Sequence, residues 1–77
     1  MSELDRLRWH CRRGMLELDL VLSRFLERSF RELPPDQVAA FKALLQQSDS
    51  VLWDLVSGRL EPESGATATI VRLLRET

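Results

Sequence analysis

Apolar residues recur every three or four positions along most of this chain, which is the spacing of one face of an α-helix. The clearest case is the second segment, where a continuous apolar face is formed by Leu18, Val21, Leu22, Phe25, Leu26 and Phe30. Five helices are predicted in this way, at about residues 2–12, 16–30, 35–47, 50–57 and 66–76. Because the connections are brief, we expect an all-α fold, a compact bundle of four to five short helices.

Residues that stop helices lie between the predicted segments. Gly14 follows the first segment and is predicted to be its left-handed C-terminal cap, since glycine adopts a positive φ without steric cost. Pro34 and Pro35 end the second segment. The stretch 48–50 is a break that supplies the next N-cap, and Gly58 ends the fourth helix.

Composition agrees with a small helical domain. The 77 residues suffice for one domain, 1–77, with a marginal core and little room to enclose a deep pocket. Fifteen leucines against five valines and one isoleucine favour helices over strands. Cys11 is the single cysteine and His10 the single histidine, which excludes a disulfide framework and a four-ligand zinc site within one chain.

The sequence also indicates the cellular compartment. The longest apolar run is four residues, which is too short to span a bilayer, and the N-terminal stretch has no apolar segment of the kind found in signal peptides. With a lone thiol in addition, we expect a cytoplasmic protein without membrane insertion.

Charge is unevenly distributed although the net charge is only −1. Residues 1–13 carry four arginines against two acidic residues, and these arginines surround Trp9. Such a face could bind phosphates and stack a base, which makes a small nucleic-acid-binding protein one alternative. The slight net acidity, the single lysine and the lack of a basic recognition helix argue against it.

Charged side chains and a glycine are concentrated in the first helix–helix connection, Arg12-Arg13-Gly14-Met15-Leu16-Glu17. Arg13 offers up to five hydrogen-bond donors, and Gly14 allows the backbone of a partner to approach closely. Glu17 would sit in the opening turn of the second helix, where the helix dipole favours a carboxylate. A purely structural reading, with a cap, a dipole partner and an N-terminal acid, explains the same residues.

Other residues fit structural roles. His10 and Cys11 are adjacent on a helix and therefore point about 100° apart, which disfavours a nucleophile–base pair. Cys11 is expected in the core, Trp53 in the core or at its rim, and Asp49 and Asp54 as capping or solvated acids.

The stretch Arg13-Gly14-Met15-Leu16-Glu17, continuing through Leu18-Asp19-Leu20, resembles the Arg-Gly-x-x-Glu signature of the succinate dehydrogenase FAD assembly factors, the flavinator family. The preceding Trp9-His10-Cys11-Arg12 is similar to the first helix of that family, and Leu44-Leu45, Asp49 and Leu52-Trp53-Asp54 to its middle segment. The resemblance covers most of the chain.

This resemblance implies a five-helix bundle that binds the flavoprotein subunit of succinate dehydrogenase, or of fumarate reductase, and promotes covalent attachment of FAD to that subunit. Arg13, Gly14 and Glu17 carry over as the contact point. The surrounding residues expected to bind the partner are Arg8, Trp9, His10, Arg12 and Asp19.

An enzyme is not expected, because the sequence contains no paired acid–base set and no metal motif. We expect that the chain binds no cofactor tightly, since the client handles FAD, and that a monomer forms a transient heterodimer. Binding of nucleic acid is not expected. A regulatory or antitoxin-like interaction module is the other alternative function.

Overall fold

The computed structural model describes residues 2–63 and 65–77. Within these residues the chain forms helices and no strand, so the expected all-α bundle is confirmed. The elements in chain order are α1 (Glu3–His10), α2 (Leu16–Arg28), a 3-10 helix (Phe30–Glu32), α3 (Pro35–Leu44), α4 (Asp49–Ser57) and α5 (Ala66–Glu76).

Helix α5 packs against α2, α3 and α4, and most extensively against α3. Its fully buried side chains are Ile70, Val71 and Leu74. The sequence pattern predicts Leu73 in this face, but Leu73 is only partly buried and Val71 is in the core. A helix that packs against three neighbours buries a wider stripe than one apolar row.

Helix α2 contributes Leu18, Leu22, Phe25 and Leu26 to the core, all of them buried. The ring of Phe25 lies 4.8 Å from that of Phe41, measured between centroids, in a tilted arrangement that aromatic pairs prefer. Cys11 joins this core from the end of α1, as predicted.

Three helices end earlier than the pattern predicts, and the first is α1, which ends at His10 rather than at residue 12. Helix α2 ends at Arg28 rather than at residue 30, because the backbone of Ser29 leaves the helical region with φ −122°. The following 3-10 helix places Phe30 against Phe41, with 6.1 Å between ring centroids. Helix α3 ends at Leu44 rather than at residue 47, and Leu45 is its C-cap.

Helix α4 begins one residue earlier than predicted, at Asp49, and the hydroxyl of Ser48 accepts a hydrogen bond from the amide of Val51. Gly58 ends this helix in the left-handed conformation, with φ 89° and ψ 5°, as the sequence predicts. The polar linker predicted between Gly58 and Gly65 contains Ser64, which lies outside the described residues.

Across the described ranges, no helix combines the length and the apolar character that crossing a lipid bilayer requires.

Candidate functional site

The candidate site is the connection from α1 to α2, which begins where α1 ends. The C-cap of α1 is Cys11 in a right-handed conformation, and its amide bonds to the carbonyl of Leu7 at 3.0 Å. The predicted cap role of Gly14 is therefore wrong, since α1 ends at His10 and Gly14 lies three residues beyond its C-cap. The predicted positive φ of Gly14 is confirmed at 88°.

The carboxylate of Asp19 holds this connection in place. One of its oxygens accepts the amide N–H of Arg13 at 2.8 Å, and the other accepts that of Gly14 at 3.3 Å. Asp19 lies in the first part of α2, where the helix dipole stabilises negative charge. Two consecutive backbone donors are thus fixed by a side chain six and five positions further along the chain.

The side chain of Arg13 fastens this connection to the connection between α3 and α4. Its Nε–H donates to Asp49 at 2.5 Å, and its guanidinium also donates to the carbonyls of Leu45 at 2.9 Å and of Gln47. A weaker contact reaches the carbonyl of His10 at 3.3 Å. Because carbonyls at the end of a helix have no partner within the helix, Arg13 acts as a side-chain cap for the end of α3.

The Arg13–Asp49 pair also matches the electrostatics of both helix ends. Asp49 is the first residue of α4 and so lies at its positive end, whereas the guanidinium of Arg13 lies at the negative end of α3. Only 15% of the Arg13 side chain and 39% of the Asp49 side chain are exposed. The partner of Arg13 is therefore an acid of its own chain.

The other predicted contact residues lie at the surface around this turn. Glu17, His10, Arg8 and Arg12 are exposed, and 69% of the Trp9 surface is exposed as well. The guanidinium carbon of Arg12 lies 5.8 Å from the centroid of the Trp9 ring, within the range of a cation–π contact. Arg13, by contrast, is not available to form the open arginine face that the nucleic-acid alternative uses.

The environments of Cys11 and His10 differ sharply. Cys11 is 1% exposed, and desolvation by burial raises the pKa of its thiol from 9.0 to about 12, against a smaller opposing effect of the charge on Arg13. His10 is exposed. A thiol that remains protonated near neutral pH is a poor nucleophile. Cys11 is therefore a core residue next to an exposed His10, and the two do not form a nucleophile–base pair.

A comparison with known proteins decides the family. The family model described as flavinator of succinate dehydrogenase matches residues 5–77. The chain belongs to this family. The match includes the turn, both anchoring acids Asp19 and Asp49, and every predicted contact residue.

Individual relatives agree with the family match. A protein of Coxiella burnetii named FAD assembly factor SdhE is 44% identical over 71 residues, covering 92% of this chain and 87% of the relative. A protein of Methylococcus capsulatus with the same name is 40% identical, covering 97% of this chain and 90% of the relative. The Legionella pneumophila (strain Lens) relative is 48% identical, covering 79% of this chain and 77% of its own length.

The structure adds residues to the site that sequence reasoning missed. Asp49 is predicted only as a capping or solvated acid, yet it is also the ionic partner of Arg13. Leu16 and Leu20 carry no predicted role, yet they are 73% and 47% exposed beside the turn. Helical spacing could have predicted the exposure of both leucines, because it places them on the side of α2 opposite its buried residues.

Proposed function

We propose that this chain is an assembly factor that binds the flavoprotein subunit of succinate dehydrogenase and promotes the covalent attachment of FAD to it. Support comes from membership of the flavinator family and from the relatives that are named FAD assembly factors. The observation that carries the proposal at the level of residues is the turn fastened by Asp19 and Asp49, which holds Gly14 and Glu17 at the surface.

Gly14 is suited to close contact with a partner. A Cβ atom built at this position would meet nothing within 4 Å, so packing within the chain does not require a glycine there. The positive φ and the bare, exposed backbone are what glycine supplies. A client loop can therefore approach the main chain directly, which a larger side chain would obstruct.

Roles within the turn divide between anchoring and recognition. Arg13 and Asp19 make their bonds inside the chain and so position the turn. Glu17 is exposed on the opening turn of α2 and is proposed to orient a polar group of the client. Trp9, His10, Arg8 and Arg12 widen the contact, since tryptophan and arginine are common anchors of interfaces.

The chemistry of the new covalent bond belongs to the flavin and to the client that binds it. The chain would act by binding preferentially the client conformation in which the acceptor side chain and the flavin are aligned. Such assistance is limited by the difference in affinity for the two client conformations. No catalytic role and no tightly bound cofactor of this chain are part of the proposal.

We also propose a second client, the composition of the complex and the compartment in which it forms. The related flavoprotein of fumarate reductase is proposed as a second client, and the complex as a transient heterodimer with one copy of this chain. Its place of action is proposed to be the cytoplasm, in keeping with a single cysteine, Cys11, that has no disulfide partner within the chain.

The test is covalent flavin on the client in cells that depend on this chain. Gly14→Arg is expected to reduce the in-gel flavin fluorescence of the flavoprotein strongly, because the side chain blocks close approach. Gly58→Arg is the matched control, since Gly58 has φ 89°, open space around its Cβ position and a location at the end of α4. With both variants folded by circular dichroism, equal flavin attachment in the two would contradict the proposal.

A further inference from the structure

Three large apolar side chains beside the turn are unusually exposed. Of the four such side chains in the described ranges, Trp9 is 69%, Leu16 73% and Leu20 47% exposed, and the fourth, Leu60, is 45% exposed on the α4–α5 connection. Single exposed leucines are ordinary at a protein surface, whereas a group beside a candidate binding turn points to an interface.

The three side chains lie on the two helices that flank the turn, Trp9 on α1 and the two leucines on α2. Leu16 and Leu20 share a stripe of α2 with Ser23 and Glu27, because these positions follow the spacing i, i+4, i+7 and i+11. Ser23 and Glu27 line a small cleft of about 140 Å³ together with Arg8 and Arg12 of the first helical segment. This cleft joins the outer stripe of α2 to the arginine edge of α1.

Trp9 lies on α1, beside one of the arginines of this cleft. Its ring is within 5.8 Å of the guanidinium carbon of Arg12, which lines the cleft. The core of the bundle makes no use of this stripe, since the buried residues of α2 all lie on its other side. We define the apolar strip as Trp9, Leu16 and Leu20.

The charges around the apolar strip indicate the chemistry of its occupant. Among the residues whose side chains the structure describes, the exposed charges of α1 and its end are Arg6, Arg8 and Arg12 against Asp5, so this side is positive on balance. The exposed acids of α2 in this region are Glu17 at the turn and Glu27 at the cleft. A partner surface with an apolar centre and carboxylates on the α1 side would complement this pattern. The strip is also continuous with the turn that contains Gly14, because Leu16 begins α2 two residues later.

We propose that the apolar strip of Trp9, Leu16 and Leu20 seats on an apolar patch of the client flavoprotein that is flanked by acidic residues. This inference rests on the proposed function and adds the apolar contact and the charge of the opposing surface. The turn provides close approach at one end, and the strip provides the desolvated area that an interface centre requires.

The test measures binding of the purified chain to the purified flavoprotein subunit of succinate dehydrogenase by titration calorimetry. The double variant Leu16→Gln with Leu20→Gln keeps side-chain size and helix propensity while removing apolar surface. We expect its Kd to rise at least about tenfold, with an unchanged thermal midpoint, because two desolvated contacts are lost. Leu60→Gln is the matched control and is expected to bind like the unmodified chain.

Salt dependence tests the acidic flank of the proposed counter-surface. The double variant Arg8→Gln with Arg12→Gln is expected to weaken binding and to flatten its dependence on sodium chloride concentration, since opposite charges at an interface rim steer association. An unchanged salt dependence would overturn the acidic flank.

The outcomes separate this inference from the function on which it rests. If the unmodified chain binds the flavoprotein and the leucine variant binds within twofold of it, the apolar strip is wrong and the proposed function stands. If the unmodified chain does not bind the flavoprotein at all, both are wrong. Equal weakening by Leu60→Gln and by the leucine variant would also overturn the strip, because the effect would not be local.

Discussion

Arg13 and Asp49 are 36 positions apart in the chain and form an ion pair with 2.5 Å between Nε and a carboxylate oxygen. The pair connects the turn after α1 with the first residue of α4. Since the same guanidinium donates to the carbonyls of Leu45 and Gln47, it fastens two connections of the bundle together. The orientation of the candidate binding turn therefore depends on the end of α3 and the beginning of α4.

Removing this pair should destabilise the fold, and the two residues should be energetically coupled. We expect Arg13→Ala to lower the free energy of unfolding by about 2–3 kcal/mol, because it removes a charged hydrogen bond and uncovers helix-end carbonyls. Asp49→Ala should cost about 1 kcal/mol, since Asp49 is partly solvated. A double-mutant cycle by urea denaturation should show a coupling energy of about 1 kcal/mol.

A second arginine contact supplies the control for this cycle. Arg75 and Glu61 are separated by 3.7 Å, and 78% of the Glu61 side chain is exposed. Glu61→Ala should therefore change stability by less than about 0.5 kcal/mol. Strictly additive effects of Arg13→Ala and Asp49→Ala, or a cost of Asp49→Ala no larger than that of Glu61→Ala, would contradict a stabilising pair.

The contrast between α5 and the turn shows what the sequence could predict. The bounds of α5 are predicted correctly at residues 66–76, because glycine precedes it and its apolar periodicity is local information. The positive φ of Gly14 is predictable for the same reason. The partner of Arg13 is not, since Asp49 directly follows a Ser N-cap and looks like an ordinary helix start. Only the packing of the two connections makes it an ionic partner.

Asp19 should be the anchor of the turn backbone. Asp19→Ala leaves the amides of Arg13 and Gly14 without their carboxylate, at an expected cost of about 1–2 kcal/mol in unfolding free energy. Amide hydrogen exchange at these two residues should become faster by a larger factor than exchange in α5. Unchanged protection of the two amides would show that the carboxylate does not hold the turn.

The conformation of Gly14 should have a measurable cost when a side chain is introduced. Gly14→Ala is expected to destabilise by about 1–2 kcal/mol, because alanine is strained at φ 88° although no atom blocks its Cβ. Gly58→Ala should cost a similar amount, since its φ is 89°. Thermal denaturation compares the two, and a Gly14→Ala variant as stable as the unmodified chain would mean that the turn relaxes to a negative φ.

The buried thiol of Cys11 should make stability fall in alkaline solution. Its pKa is about 12 in the folded chain and 9.0 when unperturbed, so between these values the unfolded chain has lost the proton that the folded chain retains. Stability is therefore retained below pH 9 and declines by about 1.4 kcal/mol per pH unit above it. Urea denaturation at several pH values should show this slope in the unmodified chain and its absence in Cys11→Ala, and equal slopes would contradict it.

Glu17 should separate recognition from stability. Its side chain is exposed, so Glu17→Gln is expected to change the free energy of unfolding by less than about 0.5 kcal/mol. Its proposed role is to orient a polar group of the client, and loss of the negative charge should weaken client binding and reduce covalent flavin attachment. Glu63→Gln is the control, an exposed acid on the α4–α5 connection. If Glu17→Gln supports flavin attachment as well as this control does, the turn recognises its client without Glu17.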